Sequence, residues 1–505
     1  MTQTAPESSA VGAAGSDEHP KRFASLDPRT GEVVAHHPVH SAQEVTEAVA
    51  TARRAATWWA ELGFDGRKQR LDAWRRLIVK RLDEIANLVS AETGKPNADA
   101  KLELALVIDH LHWAARNAER VLRRRRVASG LLMLNQAATV EYRPLGVVGV
   151  IGPWNYPIFT PMGSIAYALA AGNTVVFKPS ELTPGVGVWL ADTLAEVVPE
   201  HPVLSVVTGF GETGAALCRS GVDKLAFTGS TATGKRVMAS CAESLTPVLL
   251  ECGGKDVLIV DYDADVAAAA DAALWGAMSN AGQTCIGVER VYVVEDVAEE
   301  FVEQITKRAA KLRPGGQPSA DFGPITMPSQ VEVIRSHVQD ALDKGGRAVV
   351  GGTESVRPPF VEPVVLVDVP EDSLAITEET FGPTVTVNRV RDVDEAVRLA
   401  NAGKYGLGGT VFSKSRGEQV ARRLRTGMVA VNSVIAFAAV PALPFGGVGD
   451  SGFGRIHGED GLREFTRVQS VTRKRFKPVL NPMSFSRGGG VVGRLMAIVK
   501  ARYGR

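Results

Sequence analysis

From Gly146 onward, short runs of Val, Ile and Leu alternate with stretches whose apolar residues recur at helical spacing. The apolar runs fall at residues 147–151, 173–178, 203–208, 224–227 and 248–251. They are apolar throughout rather than at every second position, the pattern of strands buried on both faces. Between them, residues 184–198 open a helix with Pro184 after Thr183, and residues 231–242 follow Gly229 and Ser230 in the same way. Strand and helix in alternation predict a parallel sheet covered by helices.

A second series starts near Asp256, with a strand at 257–260, a helix at 264–278, a strand at 290–294 and a helix at 297–312. Further elements are expected at 393–402, 409–412, 419–425 and 429–432. This predicts a second α/β domain, joined to the first near Gly253 and Gly254. Residues 131–142 lie between a helix ending near Arg120 and the first parallel strand, and are rich in β-favouring residues. They predict an isolated ribbon, which needs a partner surface.

Length and composition agree with several subdomains: 505 residues exceed what one hydrophobic core supports. A net charge of +1 gives no global reason to expect a nucleic acid or polyanion partner. Four cysteines without a CxxC pair make neither a disulfide framework nor a metal site, so a reducing compartment and a cytoplasmic location are expected. Residues 1–21 contain neither a basic start nor an apolar run, and read as a disordered lead-in.

Three segments carry chemistry. Cys285 follows Asn280, Ala281, Gly282, Gln283 and Thr284, a small and polar setting in which a substrate carbonyl can approach the sulfur. An aldehyde loses hydride readily only after a nucleophile has added, and thiolate is well suited to that addition. With an unperturbed pKa of about 8.5, Cys285 would need help to ionise. Asn155 ends an apolar strand between Pro153 and Pro157 and can donate to an oxyanion. Glu251 also ends a strand, ahead of Gly253 and Gly254, where a carboxylate with room to move can activate water. Each residue alone has a bland reading: a buried thiol, a turn asparagine, a surface ion pair.

The turn from Phe227 to Gly234 joins a strand to a helix, where backbone N–H groups and the helix dipole can meet a pyrophosphate. Lys178, Ser180 and Glu181 follow another strand end. There Lys178 and Glu181 can bind ribose hydroxyls, Glu181 opposing an added phosphate and so favouring NAD over NADP.

In order along the chain, GPWNYP, FKPSE, FTGSTATG, ECGGK, GQTC, EETFGP and PFGGVGDSG make residues 27–472 resemble the aldehyde dehydrogenase superfamily. The resemblance implies two Rossmann-like parallel-sheet domains and a β-ribbon oligomerisation element. Residues 22–125 with 147–254 would bind cofactor, 255–465 would be catalytic, and 126–146 with 466–480 would form the ribbon of a homodimer or homotetramer. It implies Cys285 as nucleophile, Asn155 with the Cys285 N–H as oxyanion hole, and Glu251 as general base. It places Ile151, Gly152, Pro153, Trp154, Lys178, Ser180, Glu181, Gly211, Phe227, Gly229, Ser230, Gly234 and Glu379 at NAD, with NADP the alternative. Phe381 would lie near the nicotinamide, and Tyr156 and Phe445 in the substrate channel, to which Phe437 is also a candidate.

The segments 178–182 and 245–248 look like the class 3 branch, whose members oxidise fatty or aromatic aldehydes; the longer amino-terminal region does not. Cys252 stands where the family more usually has leucine, and reads as a small core substitution in preference to a second redox-active thiol. The expected activity is oxidation of an apolar aldehyde to its acid. A semialdehyde dehydrogenase and a CoA-acylating enzyme are the alternatives, Glu251 arguing against the latter, and a non-catalytic binding protein is the third. The basic tail, residues 481–505, can gather Val491, Val492, Leu495, Met496, Ile498, Val499 and Tyr503 on one side of a helix. Packing against protein is favoured over contact with a membrane surface.

Overall fold

The computed structural model describes residues 21–317, 319–478 and 480–504. The lead-in read at residues 1–21 lies outside them apart from Lys21. A hairpin, Arg22–Leu26 with Val33–Pro38, precedes the helices Ala42–Glu61, Gly63–Lys80, Leu82–Thr93 and Asn97–Leu122. The first helix opens on a capping box between Ser41 and Glu44 and buries Val45, Val49, Ala52, Ala55 and Trp59 at helical spacing.

The first parallel sheet has six strands, in the order Gly452–Phe453, Val248–Cys252, Lys224–Gly229, Val147–Ile151, Thr174–Lys178 and Leu204–Val206. Only Gly452–Phe453 runs antiparallel. Ile151 is in register with both Lys178 and Phe227, so the carboxyl ends of three strands open together. That edge is where open α/β sheets place their ligands.

The second sheet has seven strands, in the order Arg347–Val350, Val364–Val367, Thr384–Val390, Val288–Val294, Asp256–Val260, Gly409–Phe412 and Ala430–Val431. Its strands are parallel except for the edge strand Arg347–Val350. The α/β class with two parallel sheets is therefore as expected.

Two local expectations change. The ribbon is three-stranded: Gln136–Pro144 pairs antiparallel with Thr466–Lys474 and with Arg125–Val127, while Leu131–Met133 forms a 3-10 turn. The helix expected at 419–425 is instead Gly417–Ala421, because the chain turns after Arg422 toward the strand Ala430–Val431. The tail does form a helix, Val491–Tyr503, but only Val491 is buried, and Val492, Met496, Ile498 and Tyr503 stay exposed. Among the described residues, no helix is long and apolar enough to cross a membrane.

Candidate active site

Asn155 sits in the turn that leaves the strand Val147–Ile151 and is buried. Its side-chain amide donates to the Gln283 carbonyl at 2.9 Å. An amide NH2 carries two donors, so one remains for a further acceptor. The Asn155 carbonyl accepts from Lys95 Nζ at 2.8 Å and from Asn280 Nδ2 at 3.1 Å. Lys95 also pairs with Glu103 at 2.9 Å, both side chains out of water. The other Glu103 oxygen accepts from the Ile158 and Phe159 N–H groups, each at 3.0 Å. This ion pair clamps both sides of the Asn155 turn, with the extra hydrogen bonds that buried charges require. The sequence reading missed it, since Lys95 and Glu103 look like ordinary solvated charges near the start of a helix.

Cys285 is presented by a strained turn. Asn280 and Ala281 adopt φ of 53° and 56°, and Gly282 follows at 70°. A Cβ at Gly282 would lie 2.0 Å from the Gly382 carbonyl oxygen, so only glycine fits there. The Gln283 side chain locks the turn, donating to Asn280 O at 2.9 Å and Pro324 O at 3.2 Å and accepting from Thr326 N at 2.8 Å. Tyr156 OH and Thr284 Oγ1 are 3.1 Å apart. Cys285 itself is half-buried. Burial pushes its thiol pKa up, the Glu379, Asp256 and Glu251 carboxyls push it further, and the Ile286 N–H opposes them.

Glu251 lies in Val248–Cys252, in register with Thr228 on one side and Gly452 on the other. It is 3% exposed, and neither carboxyl oxygen has a hydrogen-bond partner among the described residues. Burial holds its pKa well above the usual carboxylate range, with Arg455 opposing and Glu464 adding. Gly253 also makes room for Glu379: a Cβ there would lie 2.2 Å from the Glu379 carboxylate. Glu379 accepts from the Gly254 N–H at 2.9 Å, and burial raises its pKa to about 8.

Cys285 and Glu251 line one cavity of about 310 Å³ with Tyr156, Phe159, Trp275, Phe322, Ile435, Phe445 and Ile456. Tyr156 and Phe445, the two residues read as channel candidates, both line it. Phe437 does not; its ring packs into the core toward Gly408, and Ile435 and Ala438 form that wall instead. Asn155 does not itself line the cavity; its amide meets the carbonyl of Gln283, two residues before Cys285.

The residues expected at the cofactor collect along the open sheet edge. Gly152 N–H donates to Lys178 O at 3.0 Å, which holds Ile151 to Trp154 beside Lys178. Lys178 is buried with its Nζ 3.1 Å from Pro179 O and 3.8 Å from Glu181, and burial lowers its pKa. Ser180 Oγ accepts from Leu182 N at 3.2 Å. Ser230 caps the helix Thr231–Ala242 by accepting from Thr233 N at 3.3 Å. Phe227 packs beneath Gly229, where a Cβ would lie 2.7 Å from the ring. Gly211 opens the helix Gly211–Arg219, with no atom within 4 Å of where a Cβ would stand.

Trp154 and Phe381 meet edge to face, with ring centroids 5.6 Å apart. The Thr380 and Phe381 N–H groups donate to Glu289, which is paired with Lys255. This second buried pair was also not anticipated. Cys252 is buried with its sulfur 2.8 Å from where a Gly234 Cβ would lie, and burial raises its pKa to about 12. The thiol is protonated and buried, along the cavity that Cys285 and Glu251 share.

A buried lysine beside a half-exposed glutamate, two open helix starts and a glycine-lined edge together fit a dinucleotide. The aldehyde dehydrogenase family model matches residues 15–471. A Methylomonas sp. protein named 4,4'-diapolycopene aldehyde oxidase is 37% identical over 473 residues, covering 92% of this chain and 89% of its own. A Mycobacterium ulcerans protein provisionally named succinate-semialdehyde dehydrogenase [NADP(+)] 2 is 36% identical over 461 residues, covering 90% and 89%. The crystal structure of an NAD-dependent aldehyde dehydrogenase from Sinorhizobium meliloti superposes with a TM-score of 0.87 at 33% identity, covering 92% of this chain and 93% of that one.

Proposed function

The chain belongs to the aldehyde dehydrogenase family, and on that premise we propose that Cys285, Asn155 and Glu251 oxidise an apolar aldehyde through a thioester. The protein is an NAD(P)-dependent enzyme acting on aldehydes. The carrying observation is Glu251, a buried carboxyl without a partner on the same cavity wall as Cys285.

In this reading the Cys285 thiol loses its proton to solvent, its sulfur bonds to the aldehyde carbon, and that carbon then gives up its hydrogen as hydride, leaving a thioester. The free Asn155 N–H and the Cys285 backbone N–H hold the oxygen as it becomes negative. Bound NAD(P) supplies the hydride acceptor, cradled by Ile151 to Trp154, Lys178, Ser180, Glu181, Gly211, Phe227 to Ser230, Gly234, Glu379 and Phe381. Once the thioester has formed, ionised Glu251 takes a proton from water, and the water oxygen attacks the acyl carbon. The bond from the acyl carbon to sulfur breaks, the acid leaves, and the Cys285 sulfur takes back the proton held by Glu251.

The cavity wall favours an apolar aldehyde. Among the described residues, Lys95 is the only lysine or arginine lining it, and its charge is committed to Glu103 and to the Asn155 carbonyl. The carboxylate tail of a semialdehyde would meet Asp99, Glu103, Glu251 and Asp321 without a free cation. Turnover of aliphatic, aromatic and succinic semialdehydes with NAD and NADP in parallel tests this. Faster turnover of the apolar members supports it, and dominance of succinic semialdehyde rejects the substrate assignment while keeping the chemistry.

We assign the cofactor domain to residues 22–125 and 147–254, the catalytic domain to 255–465, and the oligomerisation element to 126–146 with 466–480. Thr466–Lys474 is an edge strand exposed along most of its length, and Val468 is 62% exposed. A long uncovered edge is a pairing surface, which supports a homodimer or homotetramer. The exposed apolar side of Val491–Tyr503 fits a neighbouring subunit better than a membrane. Liposome flotation with and without residues 481–505 decides between them, equal behaviour rejecting the membrane.

A further inference from the structure

His457 is built into the cavity wall in an unusual way. Phe445 and Ile456 exchange backbone hydrogen bonds at 2.8 and 2.9 Å, which fixes the chain immediately before it. His457 then adopts φ 60° and Gly458 61°. A left-handed backbone is costly for a residue with a side chain and persists where the surroundings enforce it. It turns the imidazole inward, 1% exposed, against the cavity that Cys285 and Glu251 share. Gly163 provides the slot, since a Cβ there would lie 2.7 Å from His457 Nε2.

Neither ring nitrogen of His457 has a hydrogen-bond partner among the described residues. Its neighbours are aromatic: His110 at 4.0 Å between ring centroids, Phe159 at 5.5 Å, Tyr167 at 5.6 Å and Phe445 at 5.7 Å. His110 cannot serve as its donor, because its Nε2 already donates to the Ala438 carbonyl at 3.1 Å, which fixes the proton on that nitrogen. Tyr167 OH likewise donates elsewhere, to Pro441 O at 3.2 Å. Burial drives the pKa values of both histidines below the usual range, so His457 is neutral and offers one N–H and one lone pair. Most buried polar groups are paired, and although His110 Nδ1 beside it is also without a partner, His457 is the ring that lines the cavity, so its unpaired nitrogens point to a partner that arrives from outside.

Resting on the reading of this cavity as the aldehyde site, we propose that His457 is a specificity-determining residue that hydrogen-bonds a neutral oxygen, hydroxyl or carbonyl, carried on the aldehyde away from its reacting carbon. A neutral imidazole matches a neutral oxygen as donor or acceptor. It offers a carboxylate no compensating charge, and Lys95 is already paired. The substrate class is therefore an apolar aldehyde with one oxygen function on its tail.

The test uses matched aldehydes that differ by one hydroxyl: octanal with 8-hydroxyoctanal, and 3-phenylpropanal with 3-(4-hydroxyphenyl)propanal. The quantity is the ratio of kcat/KM within each pair, for the wild-type enzyme and for His457→Leu, His457→Gly and His457→Asn. Glycine relieves the backbone should the leucine variant not fold, and asparagine tolerates positive φ while keeping a donor and an acceptor. Wild type should favour the hydroxylated member of at least one pair. That ratio should fall about tenfold in His457→Leu or His457→Gly and recover to within about threefold in His457→Asn, the scale of one lost hydrogen bond. Equal losses for both members, or a wild-type preference for the unsubstituted member of both pairs, reject the assignment of His457 alone. Absence of wild-type turnover with every aldehyde removes the aldehyde reading, and this inference with it.

Discussion

The Asn155 amide and the Gln283 carbonyl, 2.9 Å apart, join the turn that ends a strand of the first sheet to the turn that presents Cys285. One hydrogen bond thus sets the position of the expected oxyanion donor relative to the nucleophile. Replacing Asn155 by Ala should lower kcat by about a hundredfold, the usual consequence of losing one preorganised donor. Steady-state kinetics on a good aldehyde checks this, and a loss below threefold would remove Asn155 from the oxyanion site.

Lys95→Met should destabilise the protein by roughly 3–5 kcal/mol, because Glu103 would be left buried without its counter-charge. The double change Lys95→Met with Glu103→Leu should recover part of that stability without restoring full activity, since only the Asn280 amide would then hold the Asn155 carbonyl. Urea unfolding of the three proteins measures it. A single variant within 1 kcal/mol of wild type would show that the pair does not clamp the turn.

The sign of the pH dependence follows from Glu251. Burial raises its pKa, so the carboxyl is neutral at pH values where an exposed one is ionised. Only the ionised form can take a proton from water, so thioester hydrolysis should speed up as pH rises through that elevated pKa. The expected kcat profile has a rising limb above the ordinary carboxylate range, and Glu251→Gln should abolish that limb. A profile flat from pH 5 to 9 would mean that Glu251 does not titrate in the step that limits turnover.

Cofactor choice should depend on Glu181, whose carboxylate lies 3.8 Å from Lys178 Nζ at the open sheet edge. A phosphate on the ribose would face a like charge there. Glu181→Ala should therefore shift the ratio of kcat/KM for NADP over NAD upward by at least about tenfold. An unchanged ratio would place the discriminating contact elsewhere.

The parallel strands were legible because each is apolar on both faces and bounded by a helix entry, as at Thr183–Pro184 and Ser230. Cys285, Glu251, Tyr156 and Phe445 were legible because short motifs hold them next to glycine and proline. The pairs Lys95–Glu103 and Lys255–Glu289 were not, since a buried charge has the same letter as a solvated one and its partner is distant in sequence. His457 was hidden for a similar reason: its inward turn comes from φ 60° and from the space left by Gly163, which no local pattern records. Val364–Val367 and Thr384–Val390 were overlooked because they stand among loops rather than between clear helices. The amino-terminal helices before the one ending near Arg120 were passed over because charges interrupt their apolar positions, as in Gly63–Lys80.

The central claim is a thioester on Cys285 that Glu251 clears, and mass spectrometry of Glu251→Gln mixed with octanal and NAD tests it directly. The expected result is about one octanoyl group per subunit on the Cys285 peptide, formed together with a burst of about one equivalent of reduced cofactor and lost far more slowly than in wild type. An adduct on another residue, no adduct at all, or turnover equal to wild type would contradict it.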